Sequence, residues 1–233
     1  MTTNVNAIDW ANVRQALYEE GFARLGTLLD AESCRGIIEL YDDPKSFRSH
    51  IDMARYRFGR GEYKYFAYPL PRVVSDLRQR LYEGLTSVAG DWMRDLGLER
   101  RYPAKLETFL RECHAAEQKR PTPLLLKYGA GDFNALHQDI YGAVFFPFQV
   151  ICSLSEPDEG YEGGELMLVE QRPRAQSVGH VLQPARGEAV VITTRYRPVR
   201  GSRGFYRANV RHGVSKIHSG KRFTLGIIFH DGK

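Results

Sequence analysis

The stretch RFTLGIIFH, residues 222–230, alternates a wholly apolar face with a face that begins with Arg222 and Thr224, a period of two that is typical of a β-strand. Four similar short apolar runs precede it, separated by Gly, Pro and polar clusters: LLLKY at 124–128, FQVICSL at 148–154, GELMLVE at 164–170 and GEAVVITT at 187–194. No helical pattern long enough for a crossover lies between these runs. The strands are therefore expected to be largely antiparallel and to close into a sandwich or barrel.

The first half of the chain shows helical patterns instead. After Pro71, apolar residues step by three or four along one stripe. They are Val74, Leu77, Leu81, Leu85, Val88, Trp92 and Leu96. This stripe needs a partner, and the sheet is the expected one. We predict an α+β chain with one domain, 1–233, in which residues 1–120 form a mainly helical support and substrate lid and residues 121–233 form the β core.

The composition is that of a folded protein, with 42% hydrophobic and 26% charged residues. The start of the chain, MTTNVNAIDWANVRQ, lacks a basic segment followed by an apolar run, and no stretch approaches the length of a membrane span, so neither secretion nor membrane insertion is expected. Cys34, Cys113 and Cys152 are odd in number and widely spaced, which argues against a disulfide framework or a zinc site. The expected location is the reducing cytoplasm.

The positive charge is concentrated near the C-terminus. The net charge is +5, and the segment from Ala189 to His230 holds nine Lys or Arg and no Asp or Glu, so that the rest of the chain carries 24 basic against 28 acidic residues. This asymmetry favours a polyanionic partner such as nucleic acid. Solubility, or salt bridges to the acidic remainder, would produce the same count.

A metal site is indicated by LHQDIYG, in which His137 and Asp139 are two residues apart. In extended backbone this spacing places both side chains on one face, where one metal ion could contact both. Because a barrel brings distant strands together, His212 in HGVSKIHSGKRFTL can supply a third ligand, with His218 as its rival. Two histidines and a carboxylate form the facial triad of non-haem iron(II). The alternative is a chance HxD pair in which His137 is only hydrogen-bonded.

Arg222 lies ten residues after His212 and shares a strand face with Thr224. If the opposite face packs against the long helix, both side chains point into the barrel, where an unpaired guanidinium would be costly. A carboxylate ligand would relieve that cost, because Arg binds carboxylates through two parallel hydrogen bonds.

Taken together, these motifs resemble the iron(II)- and 2-oxoglutarate-dependent oxygenases of the double-stranded β-helix fold. The resemblance covers essentially Leu124–Phe229 and is carried by LLKYGAGDF, HQD, EGGEL at 162–166, HGV and SGKRFTL. The ten-residue spacing from His212 to Arg222 is closest to the prolyl-hydroxylase-like branch, and it disfavours His218. The implied fold is a cupin-like jelly-roll barrel with the N-terminal helices packed on one sheet.

The resemblance also implies cofactors and residue roles. The cofactors are Fe(II), 2-oxoglutarate as co-substrate and O2. The roles are ligation of iron by His137, Asp139 and His212, binding of the distal 2-oxoglutarate carboxylate by Arg222 with Thr224, and a hydrogen bond between Tyr128 and the co-substrate. For Tyr128, simple packing at a strand end is the alternative.

The N-terminal half is similar to a narrower bacterial subgroup described as oxygenases acting on alkylated DNA. The similarity is carried by GFARLGTLLDAESCRGIIELYDD, FRSHIDMARYRFGRGEYKYFAYPLP and the basic insert near Arg195. It implies oxidative dealkylation of a damaged base, with release of succinate, carbon dioxide and an aldehyde, on a single strand or a flipped base. A protein or peptide hydroxylase of the prolyl type is the alternative, and a nucleic-acid-binding barrel without catalysis is a further one. The oligomeric state is left open.

Two segments are candidates for substrate binding. YRFGRGEYKYF, residues 56–66, contains Arg57, Arg60, Tyr63 and Tyr65, a mixture that could neutralise phosphates and stack bases. Alternating aromatic residues are equally typical of the buried face of an extra strand.

RYRPVRGSRGFYR, residues 195–207, is interpreted as a mobile loop between barrel strands because it contains Pro198, Gly201 and Gly204. Its five arginines, including Arg200 and Arg203, have no acidic neighbour in sequence and favour an anionic partner. Since the loop leads directly to His212, an anion bound there is expected close to the iron. A solvated loop without a ligand is the alternative.

Overall fold

The computed structural model describes residues 3–139 and 142–233. Within these ranges the α-helices all lie in the first half of the chain, joined by short 3-10 turns. They are α1 (Trp10–Glu20), α2 (Ala31–Glu39), α3 (Arg72–Asp95) and α4 (Leu106–Ala115). Helix α2 begins where the Asp30 carboxylate accepts a hydrogen bond from the Ser33 amide at 2.7 Å, an N-cap that satisfies one of the free amides at a helix start.

Strands occur throughout the described ranges. They are β1 (Phe22–Thr27), β2 (Phe47–Asp52), β3 (Gly59–Arg60), β4 (Glu62–Phe66), β5 (Leu124–Gly129), β6 (Phe133–His137), β7 (Phe148–Ser153), β8 (Tyr161–Gly163), β9 (Leu166–Gln171), β10 (Val178–Leu182), β11 (Glu188–Thr193), β12 (Tyr196–Gly201), β13 (Gly204–Val214) and β14 (Ile217–Ile228). All five apolar runs of the C-terminal half form strands, as predicted from the sequence.

The strands form two sheets, and every pair between named strands is antiparallel. The larger sheet has the order β1-β11-β7-β14-β5-β4-β2, with β8 pairing with β14. The smaller sheet has the order β10-β9-β13-β6-β3, with β12 pairing with β13. The architecture is the predicted double-stranded β-helix, a jelly roll with helices beside it.

The main hydrophobic core lies between α3 and the larger sheet. The predicted stripe on α3 is buried from Val74 to Trp92, and Leu96 packs against the same cluster in a partly buried position. Leu225 and Ile227 of β14 meet this stripe and are fully buried. Because side chains alternate along a strand, packing this face against α3 turns the face of Arg222 and Thr224 toward the other sheet.

The N-terminal region contributes more strands than its helical patterns indicate. Strand β1 pairs with β11, strands β2 and β4 extend the larger sheet beside β5, and β3 pairs with β6. The sequence gives little sign of them, because they are short and rich in charged and aromatic residues, and the burial of β2 and β4 is mostly intermediate. They lengthen both sheets and bring residues 59–66 next to β5 and β6.

The segment expected to be a mobile loop, residues 195–207, is a β-hairpin, so that interpretation is wrong. Strands β12 and β13 pair in register from Tyr196 opposite Asn209 to Gly201 opposite Gly204. Among the described residues β12 pairs only with β13, so one edge of β12 is unpaired and Pro198, which has no amide hydrogen, is tolerated there.

Among the residues described, no helix combines the length and the apolar character that crossing a bilayer requires.

Candidate metal and co-substrate site

Two strands of the smaller sheet bring the distant histidines together. His137 is the last residue of β6 and lies directly opposite His212 of β13 in the antiparallel register. Side chains of such cross-strand partners lie on the same face, and the two imidazole centroids are 4.3 Å apart. Asp139 follows two residues later, where its amide donates to the carbonyl of Thr194 at 3.2 Å.

The ligand atoms of His137, Asp139 and His212 all lie within 4.8 Å of one another. His137 Nε2 is 3.6 Å from Asp139 Oδ1, and His212 Nε2 is 3.1 Å from Asp139 Oδ2. Asp139 and His212 are buried, whereas His137 is partly exposed. Two imidazoles and one carboxylate on one side are the donor set of a non-haem iron(II) site with open positions, so these residues fit that ion. His218, the rival, is exposed near the start of β14.

The protonation state of His137 suits a ligand. Its Nδ1 lies 2.7 Å from the carbonyl oxygen of Ala135, and a carbonyl can only accept, so Nδ1 carries the proton and Nε2 keeps its lone pair. Burial lowers the pKa of His137 below its ordinary value, and the neighbouring His212 lowers it further. The imidazole is therefore neutral near pH 7, which is the form that binds metal.

Gln149 on β7 is a site residue that the sequence analysis did not identify. Its side-chain amide donates to Asp139 Oδ2 at 2.7 Å and lies 3.1 Å from His212 Nε2. Gln149 is buried, and its side-chain amide within the mainly apolar run FQVICSL is the signal that could have revealed it. Its contacts orient the carboxylate of Asp139, as partners of metal ligands commonly do.

Arg222 lies on β14 beside the histidine cluster, only 1% exposed. Its guanidinium Nη1 donates to Thr224 Oγ1 at 3.3 Å, and its buried Nε has no hydrogen-bond partner within the described residues. Gly164 of the EGGEL motif makes room nearby: it has φ +66°, and a Cβ there would lie 2.1 Å from Ile217 Cδ1 and 3.0 Å from Arg222 Cδ. A buried cation with an open donor fits a carboxylate ligand.

Tyr128 faces Arg222 across the β5–β14 pair and is fully buried. Its ring centroid is 5.7 Å from the guanidinium carbon of Arg222, and its hydroxyl accepts a hydrogen bond from Asn134 Nδ2 at 3.3 Å. Burial raises the pKa of Tyr128 to about 12, although the charge of Arg222 opposes the shift. The phenol therefore keeps its proton at neutral pH and can donate it to an acceptor in the cavity.

All six residues of the predicted iron and co-substrate set line one cavity of about 350 Å³. Three of the predicted substrate residues, Arg57, Tyr63 and Tyr65, line the same cavity. Arg60 lies on β3 opposite Phe133 of β6 and is exposed. The segment forms the predicted extra strands and also presents aromatic side chains to the cavity, whereas its role in substrate binding stays a prediction.

The hairpin arginines Arg200 and Arg203 lie away from this cavity, so the expectation that they hold an anion close to the iron is wrong. Arg203 is in the turn between β12 and β13, and both residues are exposed. His212 is eight residues beyond Gly204 along β13, which in extended backbone is about 26 Å. Residues that are close in sequence are separated here because most of β13 lies between the turn and His212.

The basic C-terminal segment does not form one positive surface. Arg197 is 2% exposed, forms an ion pair with the buried Glu170, and donates to the carbonyl of Tyr18 at 2.7 Å. Arg195 and Arg207 lie over the ring of Tyr196 at 4.2 and 4.8 Å. The count of nine cations therefore overstates the charge that is open to a partner.

Comparison with known proteins identifies the family. Residues 61–232 match the model of the family Oxygenase-NA, described as "Oxygenase, catalysing oxidative methylation of damaged DNA". Two uncharacterized proteins of Mycobacterium tuberculosis, one from strain CDC 1551 / Oshkosh and one from strain ATCC 25618 / H37Rv, are each 53% identical over 166 residues, which cover 71% of this chain and 71% of the relative.

Solved structures with the same fold include three that align over nearly the whole chain at 16% identity. A Pseudomonas putida prolyl-4-hydroxylase has a TM-score of 0.56 and covers 96% of this chain and 99% of its own. A Trichoplax adhaerens prolyl hydroxylase, solved with a hypoxia-inducible-factor peptide, has a TM-score of 0.55 with 94% and 87% covered. An oxidoreductase of the 2OG-Fe(II) oxygenase family from Burkholderia pseudomallei has a TM-score of 0.52 with 98% and 95% covered. The chain therefore belongs to the Oxygenase-NA family and is an oxygenase with the fold of the iron(II)- and 2-oxoglutarate-dependent enzymes.

Proposed function

We propose that the chain is an iron(II)- and 2-oxoglutarate-dependent dioxygenase whose iron is held by His137, Asp139 and His212. Their clustered ligand atoms and the neutral state of His137 support this assignment. The observation that carries the proposal is Arg222, a buried guanidinium with an unpartnered Nε in the same cavity. A buried cation without a full set of hydrogen-bond partners is costly, so its presence in the cavity indicates an anionic ligand.

In this proposal Arg222 and Thr224 bind the distal carboxylate of 2-oxoglutarate. The guanidinium offers two parallel donors to the carboxylate, and the Thr224 hydroxyl already contacts the guanidinium. Tyr128 donates its phenol proton to a co-substrate oxygen, since burial keeps that proton in place at neutral pH. Because Arg222 and Tyr128 are both buried, water competes little for these hydrogen bonds.

Iron and 2-oxoglutarate, when bound, supply the oxidation of a substrate C–H bond by O2, with release of succinate and carbon dioxide. The protein orients the substrate carbon and limits the access of water. Hydroxylation of an N-methyl carbon gives a hemiaminal, which breaks its C–N bond and releases formaldehyde and the restored N–H. On this chemistry the methyl group of the damaged base is removed, so the reaction proposed is a demethylation.

The proposed substrate is an alkylated base of DNA. The family description names damaged DNA, and Arg57, Tyr63 and Tyr65 provide a cation and two aromatic rings on the wall of the cavity. A base inside a duplex cannot reach a buried metal, so the substrate is single-stranded or flipped.

Peptide hydroxylation is the second candidate, because two of the structures with the same fold are prolyl hydroxylases. Both share only 16% identity with this chain, which carries over the fold alone. A nucleic-acid-binding barrel without catalysis is the third candidate. It does not explain why all three candidate iron ligands are present.

The test is succinate formation by the full chain with Fe(II), 2-oxoglutarate and O2. We expect a single-stranded oligonucleotide with N-methylated bases to stimulate it, with formaldehyde released in step, whereas the unmethylated oligonucleotide and a proline-rich peptide leave it at the basal rate. Stimulation by the peptide alone would establish the second candidate. Salt-sensitive DNA binding without any turnover would establish the third.

We also propose that residues 1–233 form one domain that acts in the cytoplasm. Strands from the N-terminal region pair with strands of the C-terminal half in both sheets, which supports a single folding unit. Cys34, Cys113 and Cys152 are all free and buried, as suits a reducing compartment.

A further inference from the structure

Two aromatic side chains stand exposed beside the cavity, and we call them the aromatic ledge: Tyr56 and Phe58. They are 55% and 49% exposed, and their rings stack with centroids 5.5 Å apart and an angle of 19° between the planes. Large apolar rings that remain in water add little to folding, because the hydrophobic gain comes from burial. Two adjacent exposed rings therefore suggest a surface that is covered by a partner.

The backbone of the ledge is anchored to the strand that carries His137. The Phe58 amide donates to the carbonyl of Met53 at 3.1 Å, and the Phe58 carbonyl accepts from the amide of Ala135 on β6 at 2.9 Å. The next residue, Gly59, has φ +140°, and a Cβ there would lie 2.3 Å from the carbonyl oxygen of Phe133. This close approach holds the ledge at a fixed position relative to the metal ligands.

The ledge continues into the cavity. Phe58 and Arg57 line the cavity together with His137, and Leu136, which is 42% exposed, extends the same apolar rim. Tyr56 stacks on Phe58 and is the more exposed of the two rings. A ligand that is longer than the cavity can therefore place its next unit on the ledge.

The charges around the ledge select the ligand. Arg55, Arg57 and Arg60 are exposed, and in the ranges that the structure describes no acidic side chain lies within ion-pair distance of their guanidinium groups. Stacked aromatic rings flanked by unpaired cations match a chain of alternating bases and phosphates. An acidic peptide could pair with the cations, but unlike a nucleic acid it does not carry a flat face in every unit of its chain.

We propose that the ledge stacks the base next to the one that enters the cavity, so that the preferred ligand is single-stranded nucleic acid and Arg55, Arg57 and Arg60 contact its phosphates. The inference rests on the proposed function and adds to it the strand form and the residues that bind the neighbouring nucleotide. A neighbouring base that is still paired inside a duplex has no free face, so duplex DNA is the poorer ligand.

The experiment measures binding of a fluorescently labelled, unmodified single-stranded oligonucleotide to the full chain by anisotropy. We expect Phe58→Ala to weaken binding about tenfold, the loss of one base–aromatic stack, and Phe58→Trp to retain it. Tyr56→Ala is expected to weaken binding in the same direction. Phe205→Ala is the matched control, because Phe205 is 40% exposed but does not line the cavity, and this variant is expected to bind the oligonucleotide as tightly as the wild type.

Three results would overturn the ledge: unchanged affinity in Phe58→Ala, an equal loss in Phe205→Ala, or affinity for duplex DNA or an acidic peptide that matches the single strand. Circular dichroism and thermal unfolding of each variant show that the fold is intact. The two proposals fail separately. Succinate formation stimulated by a methylated oligonucleotide, with ledge-independent binding, would overturn the ledge alone, whereas ledge-dependent binding without turnover would keep the ledge and overturn the repair activity.

Discussion

Two buried arginines in this protein have opposite surroundings. Arg78 on α3 and Arg222 on β14 are each 1% exposed. Arg78 donates to the carbonyls of Ile228 and Phe229 at 2.9 Å, to the Tyr68 hydroxyl at 3.0 Å and to the Asp231 carboxylate at 2.8 Å. Arg222, in contrast, has one protein hydrogen bond within the described residues, to Thr224.

The difference in hydrogen-bond partners distinguishes an arginine that stabilises the fold from one that is available to bind a ligand. A buried cation with a complete set of partners is part of the fold, and here Arg78 ties α3 to the end of the chain. A buried cation with open donors lowers stability unless a ligand completes it, so its retention indicates binding. The exposed fraction alone does not distinguish the two arginines, because it is the same for both.

The largest expected effect is on stability. Arg78→Met leaves the carboxylate of Asp231 buried without its cation and is expected to lower the free energy of unfolding by about 3–5 kcal/mol. Arg222→Met removes a cation that forms no ion pair within the described residues, and is expected to leave that free energy unchanged or to raise it by about 1 kcal/mol. Urea unfolding of the two variants without ligands measures both values. Similar losses in the two would abolish the distinction.

The next effect is a pH dependence on the Arg78 side of the molecule. Burial lowers the pKa of His230 to about 4 from 6.5, and the charge of Arg78 lowers it further. Between these values the unfolded chain binds a proton that the folded chain refuses, so stability is lost as the pH falls through this window, by up to about 1.4 kcal/mol per pH unit. His230→Gln is expected to show a shallower slope in urea unfolding across that range. Equal slopes would show that His230 does not carry this effect.

At the other arginine, Arg222→Met is expected to raise the 2-oxoglutarate concentration needed for half-maximal succinate formation by about 10- to 150-fold. This range corresponds to the loss of one charge-assisted interaction of about 1.5–3 kcal/mol. Lys221→Met is the control, since Lys221 is the exposed neighbour on the same strand. An unchanged requirement in Arg222→Met would remove Arg222 from the co-substrate site.

The smallest expected effect concerns Gln149, whose amide holds the Asp139 carboxylate. Gln149→Leu keeps a similar volume but loses the donor, and iron(II) affinity is expected to fall about tenfold, as for other residues that orient a ligand. Ile151→Val, on the same face of β7, is the control and keeps wild-type affinity. A Gln149→Leu variant that binds iron as tightly as the wild type would limit Gln149 to packing.

Much of the fold follows from local patterns in the sequence. The apolar runs at 124–128 and 222–230 became β5 and β14, and the stripe on α3 is buried as its spacing indicates. Strand β6 was missed, because its residues are exposed or half-buried and form no apolar run. The hairpin was missed because Pro198 and its glycines are typical of loops, and only the unpaired edge of β12 explains why they are tolerated.

The candidate site was predictable where its chemistry is local and obscure where it depends on distant partners. The HxD spacing indicated His137 and Asp139, the alternating strand pattern indicated Arg222, and the resemblance favoured His212 over His218 as the third ligand. Arg197 was counted as a free cation, since nothing in the sequence shows that Glu170, 27 positions earlier, lies beside it in the barrel. Arg203 was expected next to the iron for a similar reason. The number of residues between Arg203 and His212 does not show how far the strand between them separates the two.

The most direct test of the central claim is an anaerobic calorimetric titration of Fe(II) and then 2-oxoglutarate into the purified chain. We expect one Fe(II) per chain, followed by 2-oxoglutarate binding that depends on the iron. In His137→Ala, Asp139→Ala and His212→Ala we expect iron affinity to fall by more than about 100-fold while thermal unfolding stays close to that of the wild type. Wild-type iron affinity in any one of these three variants would contradict the assignment of that side chain as a metal ligand.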